Sequence, residues 1–287
     1  MTVAARDHQA AGQIAQQLLT ARRERLPMAP ISRAHPTLDI DDAYSIQSCQ
    51  VDQWLLEGDT IAGFKIGLVA EAMQQQMGVH EPDFGHVMTS SIHQPPTELD
   101  RARYVAPLVE PELGVVLAAD LPGTGVTADA VLAATAYVVP LIEVVDSRIR
   151  NWDLTIVDTV ADNASSGGVH LGTSRHSPER ITLSEVTCAL LVNGVERAGG
   201  TGRDVLGHPA AAVAWLANEL GRRGVRLRAG QLILSGAMTR AVRVDAGDSI
   251  RADFGQLGTV RLPVTRSAAT PPHDIAFDAE AKKGSGS

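Results

Sequence analysis

Val109-Glu110-Pro111-Glu112-Leu113-Gly114-Val115-Val116-Leu117 is the stretch on which the reading of this 287-residue chain turns. It follows Pro107 and predicts one strand from Leu108 to Leu117. On a strand, residues i and i+2 face the same side. Glu110 and Glu112 therefore project together, roughly 7 Å apart at Cα. Two carboxylates withdrawn from water side by side are costly unless something neutralises them. A hard divalent cation, Mg²⁺ or Mn²⁺, does this with oxygen ligands. An isolated Glu-x-Glu also fits a solvated strand edge with an arginine beside it, and Pro111 is compatible with an edge. The strand expected over residues 141–145 shifts the balance, because it puts Glu143 in the middle of an apolar run. A charge there needs a partner, and Arg148 is the local alternative to a metal. Three such carboxylates make half of an octahedral oxygen site, leaving the other half to substrate and water.

Working outward, Thr60-Ile-Ala-Gly-Phe-Lys-Ile-Gly67 reads as a strand with Ala62, Phe64 and Ile66 on one face. Lys65 stands on the other, between Gly63 and Gly67, with room around it. Apolar periodicity predicts helices over residues 7–25, from Asp41 or Asp42 to Gly58, over 71–77, from Thr127 to about Tyr137, and over 209–221. Residues 158–172, rich in Ser, Asn and Gly, read as a functional loop. Residues 183–192 alternate weakly and run into Asn193-Gly194, a strong hairpin signal. Short strands follow over 232–235, 250–254 and 260–264. Helices lead and strands dominate later, which predicts an α+β fold. The expected division is an N-terminal helical region with one strand (1–80), a β core (81–267) and a loose tail (268–287).

Composition excludes several functions. The net charge is −8, from 25 Lys+Arg against 33 Asp+Glu, which disfavours a phosphate-backbone binder. Aromatics are only 3%, too few for base-stacking platforms. No nucleic-acid partner is expected. Cys49 and Cys188 form no Cys-x-x-Cys, which removes a thiolate zinc site. There is no Gly-x-Gly-x-x-Gly after a strand and no P-loop. The first residues are too polar for a secretory signal, and the longest apolar stretch, 130–145, is broken by Thr135, Pro140 and Glu143. The expectation is a cytoplasmic protein with no membrane partner.

Six stretches carry a resemblance. They are Gly63-Phe-Lys-Ile-Gly-Leu68, Gly78-Val-His-Glu-Pro-Asp-Phe-Gly85, Val109-Glu-Pro-Glu112, Ile142-Glu-Val-Val-Asp-Ser-Arg148, Asp158-Thr-Val-Ala-Asp-Asn-Ala-Ser-Ser166 and Leu206-Gly-His-Pro209. Together and in this order they resemble the 2-keto-4-pentenoate hydratase and 4-oxalocrotonate decarboxylase group of the fumarylacetoacetate hydrolase superfamily. The resemblance implies a mixed β-sandwich roll with flanking helices and a homo-oligomer. It implies a divalent metal on Glu110, Glu112 and Glu143, and acid/base roles for Lys65 and Asp83. It implies substrate contacts from the 161–166 loop, with Asp162, Asn163, Ser165 and Ser166 as candidates. Ser235 and Gly236, where a strand meets a tight turn, form a second substrate-facing candidate. His208, ahead of Pro209, suits a helix start better than a metal. Trp54, Trp152 and Trp215 read as core or interface residues.

The implied reaction is hydration of a 2-hydroxy-2,4-dienoate, whose carboxylate and C2 oxygen can chelate one metal, to a 4-hydroxy-2-keto acid. Decarboxylation of 4-oxalocrotonate is the nearest rival, since the same site would stabilise the dienolate left behind. Acylpyruvate hydrolysis is a third reading. His80-Glu81 would be the dyad of a carbon–carbon hydrolase, but neighbours on a strand face opposite ways. A non-catalytic keto-acid binder would not need Lys65 beside three glutamates.

Overall fold

The structure is a computed structural model and describes residues 3–71, 74, 75 and 78–266. The tail expected over 268–287 lies outside the described residues, as does part of the helix expected over 71–77.

Three helices lead: α1 (Val3–Glu24), the short α2 (Ile31–Ala34) and α3 (Ile40–Leu56). α3 starts one or two residues earlier than expected. Asp39 is its N-cap, accepting from the N–H groups of Asp41 and Asp42, while the Asp42 carboxylate accepts from Asp39 N–H. This reciprocal box satisfies donors that the first helical turn cannot.

The strands form two sheets. The first has the order β2 (Asp83–Met88), β1 (Ile61–Gly67), β10 (Leu232–Ala237), β5 (Leu108–Leu117), β6 (Thr135–Val145), β7 (Ser166–Leu171), β3 (Ile92–His93), with β11 (Val242–Arg243) also on β5. The second runs β4 (Leu99–Asp100), β13 (Thr259–Thr265), β12 (Ser249–Asp253), β8 (Thr187–Val192), β9 (Val195–Thr201). Pairing is mixed: β1 lies parallel to β10, and β5 antiparallel to both β10 and β6. The result is an α+β molecule. Its core joins Leu18 and Ile46 of the helices to Phe64 and Leu113 of one sheet and Ile250 and Leu262 of the other. β1 enters this sheet by pairing on both edges, and Gly63 permits it. A Cβ at Gly63 would sit 1.7 Å from the carbonyl oxygen of Leu232.

Three local expectations are corrected. The helix after Thr127, α4 (Ala128–Ala133), stops before Tyr137, because residues from Thr135 onward pair with β5 over the full length of β6. The long-range ladder wins over local helical periodicity. Residues 158–172 are not one loop. Thr155 and Asp158 box the start of α5 (Ile156–Ala161), a tight turn spans 162–165, and β7 follows. Pro111 lies on a central strand rather than an edge. It pairs with Ile142 of β6, and its carbonyl accepts from Met238 N–H just past the end of β10. Asn193-Gly194 closes the β8–β9 hairpin as expected, with φ of 53° and 79°. His208 N-caps α6 (Pro209–Arg222), its Nδ1 accepting from Ala210 N–H.

Candidate active site

Glu110 and Glu143 are direct cross-strand partners on β5 and β6, and Glu112 follows two residues along β5. One carboxylate oxygen from each lies within 4.8 Å of the others. The β10 irregularity completes the corner. Gly236, at φ 107°, turns its N–H onto Glu112 Oε2 at 2.9 Å. A Cβ there would meet Val69 at 2.4 Å, so only glycine fits.

Burial pushes all three carboxyls above their ordinary values, Glu110 to about 7 and Glu112 well up, with the neighbouring glutamates adding repulsion. Glu143 is also raised by burial, against the pull of Lys65. Among the described residues neither Glu143 oxygen has a hydrogen bond of its own, and Oε2 has only the Lys65 ammonium, 3.5 Å away. Buried polar atoms are rarely orphaned. Three crowded carboxyls with free lone pairs are the donor set of a hard divalent cation, so the residues fit such an ion.

Lys65 reaches this cluster from β1. Its ammonium donates to Ala164 O at 3.0 Å and lies 3.5 Å from Glu143 Oε2. Burial would discharge it, but Glu143, Asp83, Glu110 and Glu112 outweigh that and hold it above its ordinary value. Asp83 stands opposite Gly67 at the start of β2. Burial raises its carboxyl against the charge of Lys65, and among the described residues Oδ1 has no hydrogen-bond partner. A Cβ on Gly67 would fall 2.1 Å from Asp83 Oδ1. The two glycines flanking Lys65 thus admit a neighbouring strand and a carboxylate, rather than clearing space for a ligand. Arg148, the alternative partner for Glu143, is bound to Asp162 instead.

A cleft of about 600 Å³ opens over Lys65, Asp83 and Glu110, within the range of small-molecule sites. Leu68, Val69, Trp152, Leu154 and Met238 make an apolar wall, and Ser165 and Thr159 add hydroxyls. Ser165 Oγ is buried without a hydrogen-bond partner among the described residues.

The other residues singled out in the 161–166 segment face the scaffold. Asp162 is buried against Arg148, which donates from Nε (2.5 Å) and from its backbone N–H (2.9 Å). Asn163 bridges to β2, accepting from His86 N–H and donating to His86 O. Ser166 begins β7, and its carbonyl accepts from Arg22 and Arg148. Ser235 Oγ is buried beside the Gly236 corner with no hydrogen-bond partner among the described residues. Among the described residues, Asp162, Asn163, Ser166, Ser235, Gly236 and the His80-Glu81 pair do not line the cleft. Asn163, Ala164 and Ser165 all take left-handed φ, 54°, 49° and 54°. Three non-glycine residues in a row are held there only by surrounding contacts, a form of strain found at functional sites.

Sequence reading missed the cleft wall. Trp152, read as core or interface, forms part of it while its Nε1 donates to Ala106 O. No spacing signal links Leu68, Trp152 and Met238, because strands far apart in sequence bring them together.

Comparison with known proteins adds independent findings. The family model described as fumarylacetoacetate (FAA) hydrolase C-terminal matches residues 65–265. The 2-keto-4-pentenoate hydratase of Paraburkholderia xenovorans is 42% identical over 247 residues, 86% of this chain and 92% of its own. The 2-hydroxyhexa-2,4-dienoate hydratase of Comamonas testosteroni is 38% identical over 87% of this chain and 96% of its own. The 4-oxalocrotonate decarboxylase of Pseudomonas putida G7, solved with magnesium and adipate, superposes with a TM-score of 0.87 at 33% identity. That match covers 89% of this chain and 97% of the decarboxylase.

Proposed function

The chain belongs to the fumarylacetoacetate hydrolase family, and on that premise we propose that it is a metal-dependent hydratase of 2-hydroxy-2,4-dienoates, producing 4-hydroxy-2-keto acids. The observation that carries the reading is the buried Glu110, Glu112, Glu143 cluster beside Lys65, on a chain close in sequence to hydratases over most of its length. Those three glutamates would hold Mg²⁺ or Mn²⁺. When bound, the ion supplies Lewis acidity to the oxygens of a 2-keto acid.

The remaining chemistry is proton traffic. Tautomerisation moves the C2 hydroxyl proton of the dienol to C5, and hydration then places OH on C4 and H on C3. Lys65, kept charged by its carboxylates, delivers a proton at the carbon chain. Asp83, whose raised affinity for protons suits exchange nearer neutrality, takes one from the attacking water. The apolar wall excludes bulk water from the intermediate. Ser165 Oγ donates to the substrate carboxylate. Asp162, Asn163 and Ser166 position the turn that presents it, and Gly236 with Ser235 positions Glu112. The substrate is a small 2-keto acid or its dienol, in a route of aromatic catabolism. The working form is a homo-oligomer, and the unpaired cysteines Cys49 and Cys188 suit a reducing cytoplasm. Among the described residues no helix is long and apolar enough to cross a membrane.

Decarboxylation is the second reading, favoured by the likeness to the solved decarboxylase. One assay separates the two. Protein with Mg²⁺ or Mn²⁺ is offered 2-hydroxypenta-2,4-dienoate and 4-oxalocrotonate in turn, with ultraviolet absorbance and CO₂ release both recorded. Hydration predicts loss of dienoate absorbance without CO₂. Faster turnover of 4-oxalocrotonate with CO₂ release would replace it with the decarboxylase reading.

A further inference from the structure

A second cavity, of about 320 Å³, shares no lining residue with the cleft. The two back onto the same segment: Ser165 lines the cleft and Gly167 the cavity. Five arginines line this cavity, Arg22, Arg23 and Arg25 from the end of α1 and just beyond, with Arg103 and Arg148. The one acid among the lining residues, Asp146, is already engaged, accepting from the N–H groups of Val105 (3.0 Å) and Ala106 (2.6 Å). Arg148 is matched by Asp162.

Arg22 has no such match. Among the described residues it has no carboxylate within ion-pair distance, and it donates only to the carbonyls of Ser166 at 3.3 Å and Gly167 at 3.5 Å. Its guanidinium lies over the Trp54 ring, 5.2 Å from the centroid. Burial, and then the charge of Arg148, push it down to about 10. Arg25 and Arg103 likewise have neither an ion pair nor a side-chain hydrogen bond among the described residues, although both line the same cavity. Three of the five guanidinium groups, those of Arg22, Arg25 and Arg103, thus have no carboxylate partner among the described residues, in a cavity whose own carboxylate is engaged. Guanidinium forks match phosphate oxygens, and one tetrahedral dianion can meet several forks at once.

We propose that this cavity is a binding site for a phosphate group, free or carried on a small organic molecule, held by Arg22, Arg25 and Arg103. The site is separate from the candidate metal cluster and joins the end of α1 to the start of β7.

Calorimetry on the metal-loaded protein, at ionic strength held constant with chloride, tests this with two probes, inorganic phosphate and glycerol phosphate. Saturable binding of about one probe per chain is expected, with a matching rise in Tm. Tighter binding of glycerol phosphate identifies an organic phosphate as the ligand, and equal or weaker binding identifies free phosphate. The exposed pair Arg25→Gln and Arg103→Gln should weaken binding at least about tenfold, since hydrogen bonds to charged groups are lost. Glu110→Gln should leave it unchanged, which separates the site from the metal cluster and keeps the test independent of the proposed reaction. No saturable signal up to about 20 mM, a range that would still reveal millimolar affinity, would overturn the proposal. So would unchanged affinity in the double arginine variant, or loss in Glu110→Gln. Failure of phosphate to bind, with the double variant breaking a homo-oligomer in sedimentation, would assign the cavity to a carboxylate of a second copy.

Discussion

Lys65 holds three relationships within one side chain's reach: a hydrogen bond to Ala164 O, a 3.5 Å approach to Glu143, and the charge of Asp83. Lys65→Met keeps the alkyl stem and removes the ammonium. If Lys65 moves a proton at the substrate, kcat falls by about 10²–10⁴ with the fold intact by circular dichroism. A rise in KM with unchanged kcat would instead make it a binding group. Glu112→Gln keeps the shape and an acceptor for Gly236 N–H while removing one of three converging charges. Affinity for Mg²⁺ should drop, measured by calorimetry on chelator-stripped protein, and unchanged affinity would remove Glu112 from the ligand set. Lys65 and the glutamates were legible in sequence because charge inside apolar strands is an anomaly visible in one dimension. The purpose of Gly63 and Gly67 was not, since it depends on Leu232 and Asp83 arriving from elsewhere in the chain.

The element that organises the site is the turn from Asp162 to Ser165, braced from behind by Arg148. Arg148 donates to the Asp162 carboxylate, to the carbonyls of Asp162 and Ser166, and, closely, to the Asp146 carbonyl. Arg148 is 2% exposed and Asp162 0%. Removing one partner strands the other charge in the interior. Asp162→Ala should therefore cost about 3–5 kcal/mol in urea unfolding, and it should lower activity by releasing the left-handed turn. A loss below about 1 kcal/mol, the scale of an exposed pair, would show that Arg148 finds water or another acceptor. From sequence, this segment read as a Ser- and Asn-rich loop that is also one of the six matching stretches. That composition did not reveal that Ser165 lines the cleft while Asp162 and Asn163 face the scaffold, because contacts with Arg148 and with β2 decide it.

For the whole molecule, buried His170 and half-buried His86 set a response to acid. His170, 1% exposed, stacks on His93 with ring centroids 4.6 Å apart. Burial, reinforced by the charge of His93, pushes it down to about 3, and burial pushes His86 down to about 4. Both folded values lie below the ordinary 6.5, so the native state prefers these rings neutral. Their contribution to stability is complete above about pH 6.5 and is lost as pH falls towards the folded values, because the unfolded chain takes up the protons first. Tm should decline from pH 6.5 to 4, and His170→Gln should decline less steeply. Parallel slopes for the two proteins would show that His170 does not contribute.

Six ordered stretches signalled the family and, with it, Asp83 as a candidate; by itself the sequence also determined the α+β class, the hairpin at Asn193-Gly194, and the standing of Lys65 and the three glutamates as candidates. These are properties of local pattern: periodicity, turn chemistry, and charges placed where apolar residues belong. Tertiary structure alone decided that Pro111 sits in a central strand, that Glu143 meets Lys65 while Arg148 takes Asp162, and that Leu68, Trp152 and Met238 share a wall. It also decided that α4 ends where β6 begins. Each of these depends on pairing between segments distant in the chain, where register and backbone approach are set by the packing of the whole core.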